Sequence, residues 1–293
     1  MGKLSITESR NPKTANIDLM SSFDIVRTIN DEDKRIAAAV SRALPQIAKG
    51  VDIIAESFLK GGRLAYFGAG TSGRIGVLDA SEMGPTFGVP SSMVQGFIAG
   101  GNKAIRRAIE NAEDKKEFAL QDIAKFKPTA NDVIVAISAC GNPQYCITVL
   151  QEAKKAKAKT IAVSSNPQAK IAQYADIFIN PDVGSEAVTG STRMKSGTAQ
   201  KMVLNMLSTG AMIRIGKTYE NYMIDLQPTN QKLIERGTRF VSEICGVSLK
   251  EAGLYLKKAK NVKTACVMIL KQCKKEEAEK LLAAHNGILR KVI

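Results

Sequence analysis

Residues 63–74 read Arg-Leu-Ala-Tyr-Phe-Gly-Ala-Gly-Thr-Ser-Gly-Arg, an order suited to holding a phosphate. Leu64 to Phe67 form an apolar run like a buried strand. Glycines and hydroxyls follow, and a helical pattern then runs from Ile75 to Glu82. At such a junction glycine lets the backbone approach closely, free amide hydrogens face the anion, and the helix dipole favours negative charge. Gly70, Thr71, Ser72 and Gly73 are therefore candidate binding residues, with two hydroxyls adding donors. A phosphorylated small molecule is the expected ligand.

The same residues spell Gly68-x-Gly70-x-x-Gly73, the dinucleotide fingerprint. A dinucleotide site should carry an acidic residue about 20 positions on, at the end of the next strand. The next strand-like run, Met93 to Ile98, offers Gln95 and Gly96 instead. The glycine triplet alone is a weak signal, and the phosphate reading is preferred.

Around this turn the chain alternates. Apolar strand-like runs fall at 63–67, 93–98, 133–138, 160–164 and 176–179, with helical patterns at 74–82, 103–125, 143–156, 167–173 and 195–214. Short β-rich runs separated by helices predict an α/β fold, a parallel sheet covered by helices on both faces. Ligands in such sheets sit beyond the carboxyl ends of the strands. The segments leaving those ends are small and polar: 68–73, then 138–142 with Ser138, then 164–166 with Ser164, then the hydroxyl-rich stretch 184–198. Four such turns on one rim predict a shared anion or sugar site, although Ser, Thr and Gly are also ordinary turn residues.

Upstream, residues 18–60 carry apolar positions at helical spacing. Ser21 or Ser22 is a candidate cap for a first helix, and Asn30 or Asp31 for a second helix beginning with Asp31-Glu32-Asp33. From about residue 240 the glycine turns stop, and three short basic helices are expected.

At 293 residues with 44% hydrophobic content, the chain can bury a substantial core. No apolar run approaches the roughly 20 residues of a membrane span, and the first residues lack the apolar centre of a signal peptide. Five cysteines without a Cys-x-x-Cys pair suit reduced thiols in a cytoplasm, and the single histidine, His285, leaves little for a histidine-based metal site or a Ser-His-Asp triad. The net charge is +14, and residues 246–293 hold eleven Lys/Arg against four Glu. Tyr255 is the only aromatic there, so no base-stacking platform accompanies the charge and nucleic acid is not the expected partner.

Longer motifs narrow the reading. The glycine turn continues as Leu78-Asp-Ala-Ser-Glu82-Met-Gly-Pro85. Upstream lies Thr7-Glu8-Ser9-Arg10-Asn11, and downstream come Ile98-Ala-Gly-Gly101, Ala112-Glu113-Asp114 and Thr189-Gly-Ser-Thr-Arg-Met-Lys-Ser-Gly-Thr-Ala-Gln-Lys201. From about residue 7 to the C-terminus the chain resembles the N-acetylmuramic acid 6-phosphate etherases, sugar isomerase (SIS) domain enzymes of bacterial cell-wall sugar recycling. The glucokinase regulatory protein shares these motifs but resembles two such domains in tandem. The resemblance implies an SIS sugar-phosphate domain with a helical N-terminal extension over 1–240 and a small helical domain over 241–293.

It also implies cleavage of a D-lactyl ether in the cytoplasm by a homodimer, with a phosphosugar substrate and no metal or organic cofactor, membrane or nucleic acid. Carried over by motif, Glu82 would protonate the departing lactate and then activate water, and Glu113 would take the proton from carbon 2. Thr71, Ser72 and the amides around Gly70 and Gly73 would hold the phosphate, with Ser138 and Ser164 as further candidates. Arg193 and Lys201 would neutralise the phosphate or the lactate carboxylate, and Asn205 and Ser208 would line the cleft or pack. His285 is a candidate to reach a partner's site.

Plainer readings stand beside these. Glu82 would close a helix of barely three turns as a surface carboxylate. Glu113 would share a solvated acidic helix face with Glu110, Asp114 and Glu117. In the second loop, Cys140 and Asn142 stand where family members usually carry a serine and an arginine, which weakens anion binding there. A sugar-phosphate sensor and an SIS-fold sugar-phosphate isomerase are the competing functions.

Overall fold

The structure is a computed structural model and describes residues 5–226 and 231–293. Three 3-10 turns (Ile6–Glu8, Pro12–Thr14, Ile17–Leu19) precede α1 (Ser22–Asp33), α2 (Ile36–Arg42) and α3 (Leu44–Leu59). There follow β1 (Leu64–Gly68), α4 (Gly70–Phe87), β2 (Val94–Ile98), α5 (Asn102–Arg106), α6 (Lys116–Phe126), β3 (Val133–Ile137), α7 (Gln144–Lys155), β4 (Lys159–Val163), β5 (Ile177–Ile179) and α8 (Lys195–Arg214). The chain ends in α9 (Gln231–Cys245), α10 (Leu249–Ala259), α11 (Val262–Leu270) and α12 (Lys275–Ala284). It divides into two compact units. One takes the residues up to Ser81 with Ser92–Thr209, and the other takes Glu82–Ser91 with Gly210–Ile293.

The first unit holds the sheet. Its five strands are all parallel, in the order β2-β1-β3-β4-β5. β1 and β3 are buried along their whole length and show no polar alternation, as expected for a parallel sheet covered on both faces. Phe67 and Phe97 stack at 4.7 Å in this core, with Phe126 edge-on to both. The register lines up the strand ends: Gly68 lies opposite Ile98 and Ile137, Ile137 opposite Val163, and Val163 opposite Ile179. The small polar loops therefore leave the sheet at one level. Because β2 and β3 lie on opposite sides of β1, the chain reverses direction across the sheet there. The glycine turn after β1 and the Ser138 loop after β3 flank this switch point, where α/β sheets bind ligands.

The second unit packs helices around Ile224, Leu226, Val241, Leu256, Val262, Val267 and Ala278. Ser248 caps α10 and Asn261 caps α11, each accepting a first-turn amide. The three short helices expected near the C-terminus are α10, α11 and α12. The expected boundary at 240/241 falls inside α9.

Four local expectations are corrected. The pattern over 103–125 is two helices, not one. α5 stops at Arg106, Arg107 is extended, Asn111 is left-handed at φ 55°, and Ala112–Asp114 form a 3-10 turn before α6. Glu113 is thus not on a continuous acidic helix face. Asp31-Glu32-Asp33 end α1 rather than start α2, because Glu32 turns inward to Lys195 and Asn11; Ser21 does cap α1. α4 continues past Glu82 to Phe87 with Pro85 inside it, so Glu82 lies within a long helix. The pattern at 167–173 gives only a 3-10 turn, Lys170–Tyr174.

Candidate active site

The glycine turn requires its glycines. Gly70 opens α4 at φ 53°, which disfavours a side chain. A Cβ on Gly73 would lie 2.6 Å from the Gly68 carbonyl oxygen and 2.6 Å from Ile98 Cγ1, so only glycine lets the first helical turn close onto the strand end. The Gly73 amide donates to the Ala69 carbonyl at 3.2 Å and closes that turn. The amides before it belong to the helix N-terminus, which has no intrahelical acceptors for them. Gly70, Thr71 and Ser72 therefore carry amides without intrahelical acceptors, and Gly73 supplies the clearance.

A cavity of about 190 Å³ opens at this turn, lined by Ala69, Gly70, Arg74, Ile109, Asn111 and Glu113 together with four alanines at 99, 104, 108 and 112. Gly70 and Glu113, far apart in sequence, share it. Glu113 is exposed as a residue, but it borders this mostly apolar wall. Partial burial, and then the neighbouring Asp114 charge, hold its pKa above the ordinary carboxylate value. A carboxylate raised in this way is a better proton acceptor near neutral pH.

The other candidates are distributed as follows. The Ser72 hydroxyl is buried and donates to Gln200 Oε1 on α8 at 2.9 Å. Thr71 is half-buried, and a Cβ on Gly197 would touch its methyl group at 3.4 Å. Ser138 Oγ accepts the Gly141 amide at 3.0 Å, shaping its own loop. Ser164 Oγ donates to the Ala139 carbonyl at 2.9 Å and accepts the Asn166 amide at 3.2 Å, so it ties the second and third loops together. Cys140 is half-buried, 3.8 Å from Ser138 Oγ, and Asn142 is exposed. Arg193, before α8, and Lys201, on α8, are both exposed. Glu82 is exposed on α4 and belongs to the second unit, as does His285, whose Nδ1 lies 2.9 Å from the Leu281 carbonyl one turn earlier.

Sequence reasoning missed two buried polar networks. Asp79, one turn before Glu82, accepts from Tyr66 Oη at 2.8 Å, Asn205 Nδ2 at 2.7 Å and Ser208 Oγ at 3.1 Å. Burial raises its pKa, and these hydrogen bonds and the Lys201 charge only partly offset that rise. Asn205 and Ser208 thus anchor α8 to α4 through Asp79. In the second network, Lys195 Nζ pairs with Glu32 Oε2 at 2.6 Å, and Asn11 Nδ2 donates to the same oxygen at 2.9 Å. Glu186 accepts the Lys195 and Ser196 amides, both at 2.9 Å. The α8 N-terminus is therefore capped by a carboxylate, and the hydroxyl-rich stretch 184–198 does not present those two amides to a ligand. The available signal was Glu186 nine residues before Lys195, too distant for a local capping pattern.

Comparison with known proteins supplies the family. Residues 46–154 match the glucokinase regulatory protein N-terminal SIS domain, and residues 115–210 match the SIS domain. The N-acetylmuramic acid 6-phosphate etherase of Vibrio vulnificus (strain YJ016) is 50% identical over 286 residues, 97% of this chain and 95% of its own length. Those of Enterobacter sp. (strain 638) and Yersinia pestis (strain Pestoides F) are each 49% identical over 97% of this chain, covering 96% and 97% of their own lengths. The chain belongs to the N-acetylmuramic acid 6-phosphate etherase family. A solved Bacteroides fragilis NCTC 9343 chain, assigned as a phosphosugar isomerase of capsule formation, shares the fold at TM-score 0.51 and 22% identity, covering 68% of this chain and 95% of that one. The etherase-family chain thus carries the SIS sheet, with its glycine turn, in the first unit and a helical second unit.

Proposed function

We propose that the chain cleaves the D-lactyl ether of N-acetylmuramic acid 6-phosphate, giving N-acetylglucosamine 6-phosphate and D-lactate. The observation that carries this reading is that Gly70 and Glu113 line one cavity, an anion-binding helix N-terminus beside a carboxylate of raised pKa. With the sugar ring open, the aldehyde acidifies the hydrogen on carbon 2. Glu113 takes that proton, the carbon 3–oxygen bond breaks, and Glu82 protonates the departing lactate oxygen. Glu82 then removes a proton from water, which adds at carbon 3 while a proton returns to carbon 2. Two carboxylates in different surroundings can divide these roles, one ionised and the other protonated.

In this reading the Gly70, Thr71 and Ser72 amides and the Thr71 hydroxyl hold the phosphate over the Gly73 clearance, while the Ser72 hydroxyl ties the turn to Gln200. Ser138 and Ser164 contribute through the loops they shape. Arg193 and Lys201 neutralise the phosphate or the lactate carboxylate. Acid–base chemistry of this kind needs no metal or organic cofactor. We take the working protein as a cytoplasmic homodimer in amino sugar metabolism and peptidoglycan recycling, without nucleic acid or membrane partners. Among the described residues no helix is long and apolar enough to cross a membrane.

The test is incubation with N-acetylmuramic acid 6-phosphate in water enriched in deuterium and oxygen-18. Elimination followed by hydration releases D-lactate and leaves deuterium on carbon 2 and heavy oxygen on carbon 3 of the product. Ligand binding without lactate would favour the sensor, and ketose formation from an amino-sugar phosphate would favour the isomerase.

A further inference from the structure

The chain between α5 and the Ala112–Asp114 turn is held by a side chain from the glycine turn itself. Arg74, just past the first turn of α4, donates through Nε to the Ile105 carbonyl at 2.8 Å and reaches the Arg107 carbonyl through Nη2 at 3.4 Å. These carbonyls lie at the end of a helix of only five residues, where C-terminal carbonyls lack intrahelical donors. A guanidinium suits them, since it offers several donors in one rigid plane and favourable charge at a helix C-terminus.

Arg107 is extended, and the chain turns at residues 110–111, where Asn111 is left-handed. Ile109 packs against Gly100, whose added Cβ would meet the Ile109 side chain at 3.1 Å, and Ala112 is buried in the core of the sheet unit. Glu113 follows directly. Arg74 and Glu113 line the same cavity as Gly70.

We infer that Arg74 is a positioning residue: it fixes the 105–113 segment against the phosphate-binding turn and so sets where the Glu113 carboxylate stands relative to the bound phosphosugar. The inference rests on the etherase reading for its catalytic consequence, and on the two carbonyl contacts for its structural one. Phosphate and base are then registered to one rigid element, the start of α4. A substrate gripped by its phosphate meets the base at a fixed distance. Losing that registration misplaces the base without removing it, and a displacement near 1 Å costs about 100-fold in rate.

Arg74→Gln and Arg74→Lys test this in the full chain. The expected result for Arg74→Gln is a kcat for D-lactate release lowered about 100-fold with KM changed less than about threefold, since phosphate contacts are kept and alignment is lost. Arg74→Lys keeps the charge and reaches one carbonyl but not both, so it recovers about tenfold of that loss. Amide hydrogen exchange across 107–113 should quicken about tenfold in Arg74→Gln, while exchange in β1 and β3 stays unchanged. Unaltered kcat with unaltered exchange overturns the inference. A rise in KM alone also overturns it, because Arg74 would then be a direct substrate ligand. If Arg74→Gln folds poorly, the rate and exchange of Arg74→Lys decide the matter. Should the wild-type chain release no lactate, the etherase reading fails, and the exchange comparison alone decides whether Arg74 holds the segment.

Discussion

Lys195→Met removes one half of an ion pair that lies almost wholly out of water. The Lys195 and Glu32 side chains are 2% and 5% exposed, and Lys195 Nζ stands 2.6 Å from Glu32 Oε2. After the substitution Glu32 keeps the Asn11 amide at 2.9 Å and the mostly exposed Arg35 guanidinium at 3.9 Å. Methionine fills much of the vacated space, so the dominant loss is an uncompensated buried carboxylate. Breaking a buried pair in this way costs about 3–5 kcal/mol. For a unit of this size that is a fall in melting temperature on the order of 10 °C. Burial alone would raise the Glu32 pKa, but hydrogen bonds from Lys195 and Asn11, together with the Lys195 and Arg35 charges, outweigh it and keep the pKa below its ordinary 4.5. A depressed carboxylate pKa contributes stability above the unfolded value, and that contribution disappears as pH falls through the folded value. The difference between wild type and Lys195→Met should therefore be full at neutral pH and shrink below about pH 4.5. Thermal and urea unfolding followed by circular dichroism at pH 7.5 and pH 4 measure both quantities. Lys195→Met/Glu32→Gln should recover part of the loss by removing the stranded charge. A cost under about 1 kcal/mol at neutral pH, or a gap that widens in acid, would refute the reasoning.

Two further outcomes follow from the site. Gly73→Ala forces a methyl group against the Gly68 carbonyl and Ile98, so we expect a loss of about 1–3 kcal/mol in stability and about tenfold in N-acetylglucosamine 6-phosphate affinity, read by calorimetry; wild-type affinity would count against the turn as the phosphate site. Glu113 must be ionised to act as a base, and burial with the Asp114 charge raises its pKa, so the acid limb of kcat/KM should lie above pH 4.5. Asp114→Asn removes the repulsive charge and should move that limb to lower pH, and a limb that stays put would argue against Glu113 as the base.

The strands and the glycine turn were legible because their signals are local. Apolar runs of about five residues, glycines that permit close approach, and polar loops at each strand end mark a parallel sheet and its ligand rim without distant information. The break in the 103–125 pattern was not legible, since helical spacing continues through it. Arg74, from another element, meets carbonyls at the end of α5, and the backbone turns left-handed at Asn111. Glu32 was misread for a similar reason. An acidic triplet after Asn30 looks like a helix start, yet a partner 163 residues away draws Glu32 inward. Asp79 shows the same limit, its donors Asn205 and Ser208 lying more than 120 positions on. The sequence motif around Glu113 directed attention to that segment, while the cavity that gives the carboxylate its surroundings came from the fold.

The central claim, that two carboxylates drive ether cleavage, is tested most directly by Glu82→Gln and Glu113→Gln assayed side by side for D-lactate release and for phosphosugar binding. The account predicts that each loses about 10²–10⁴-fold in turnover while binding the phosphosugar with nearly wild-type affinity. Wild-type lactate release by both variants would contradict it.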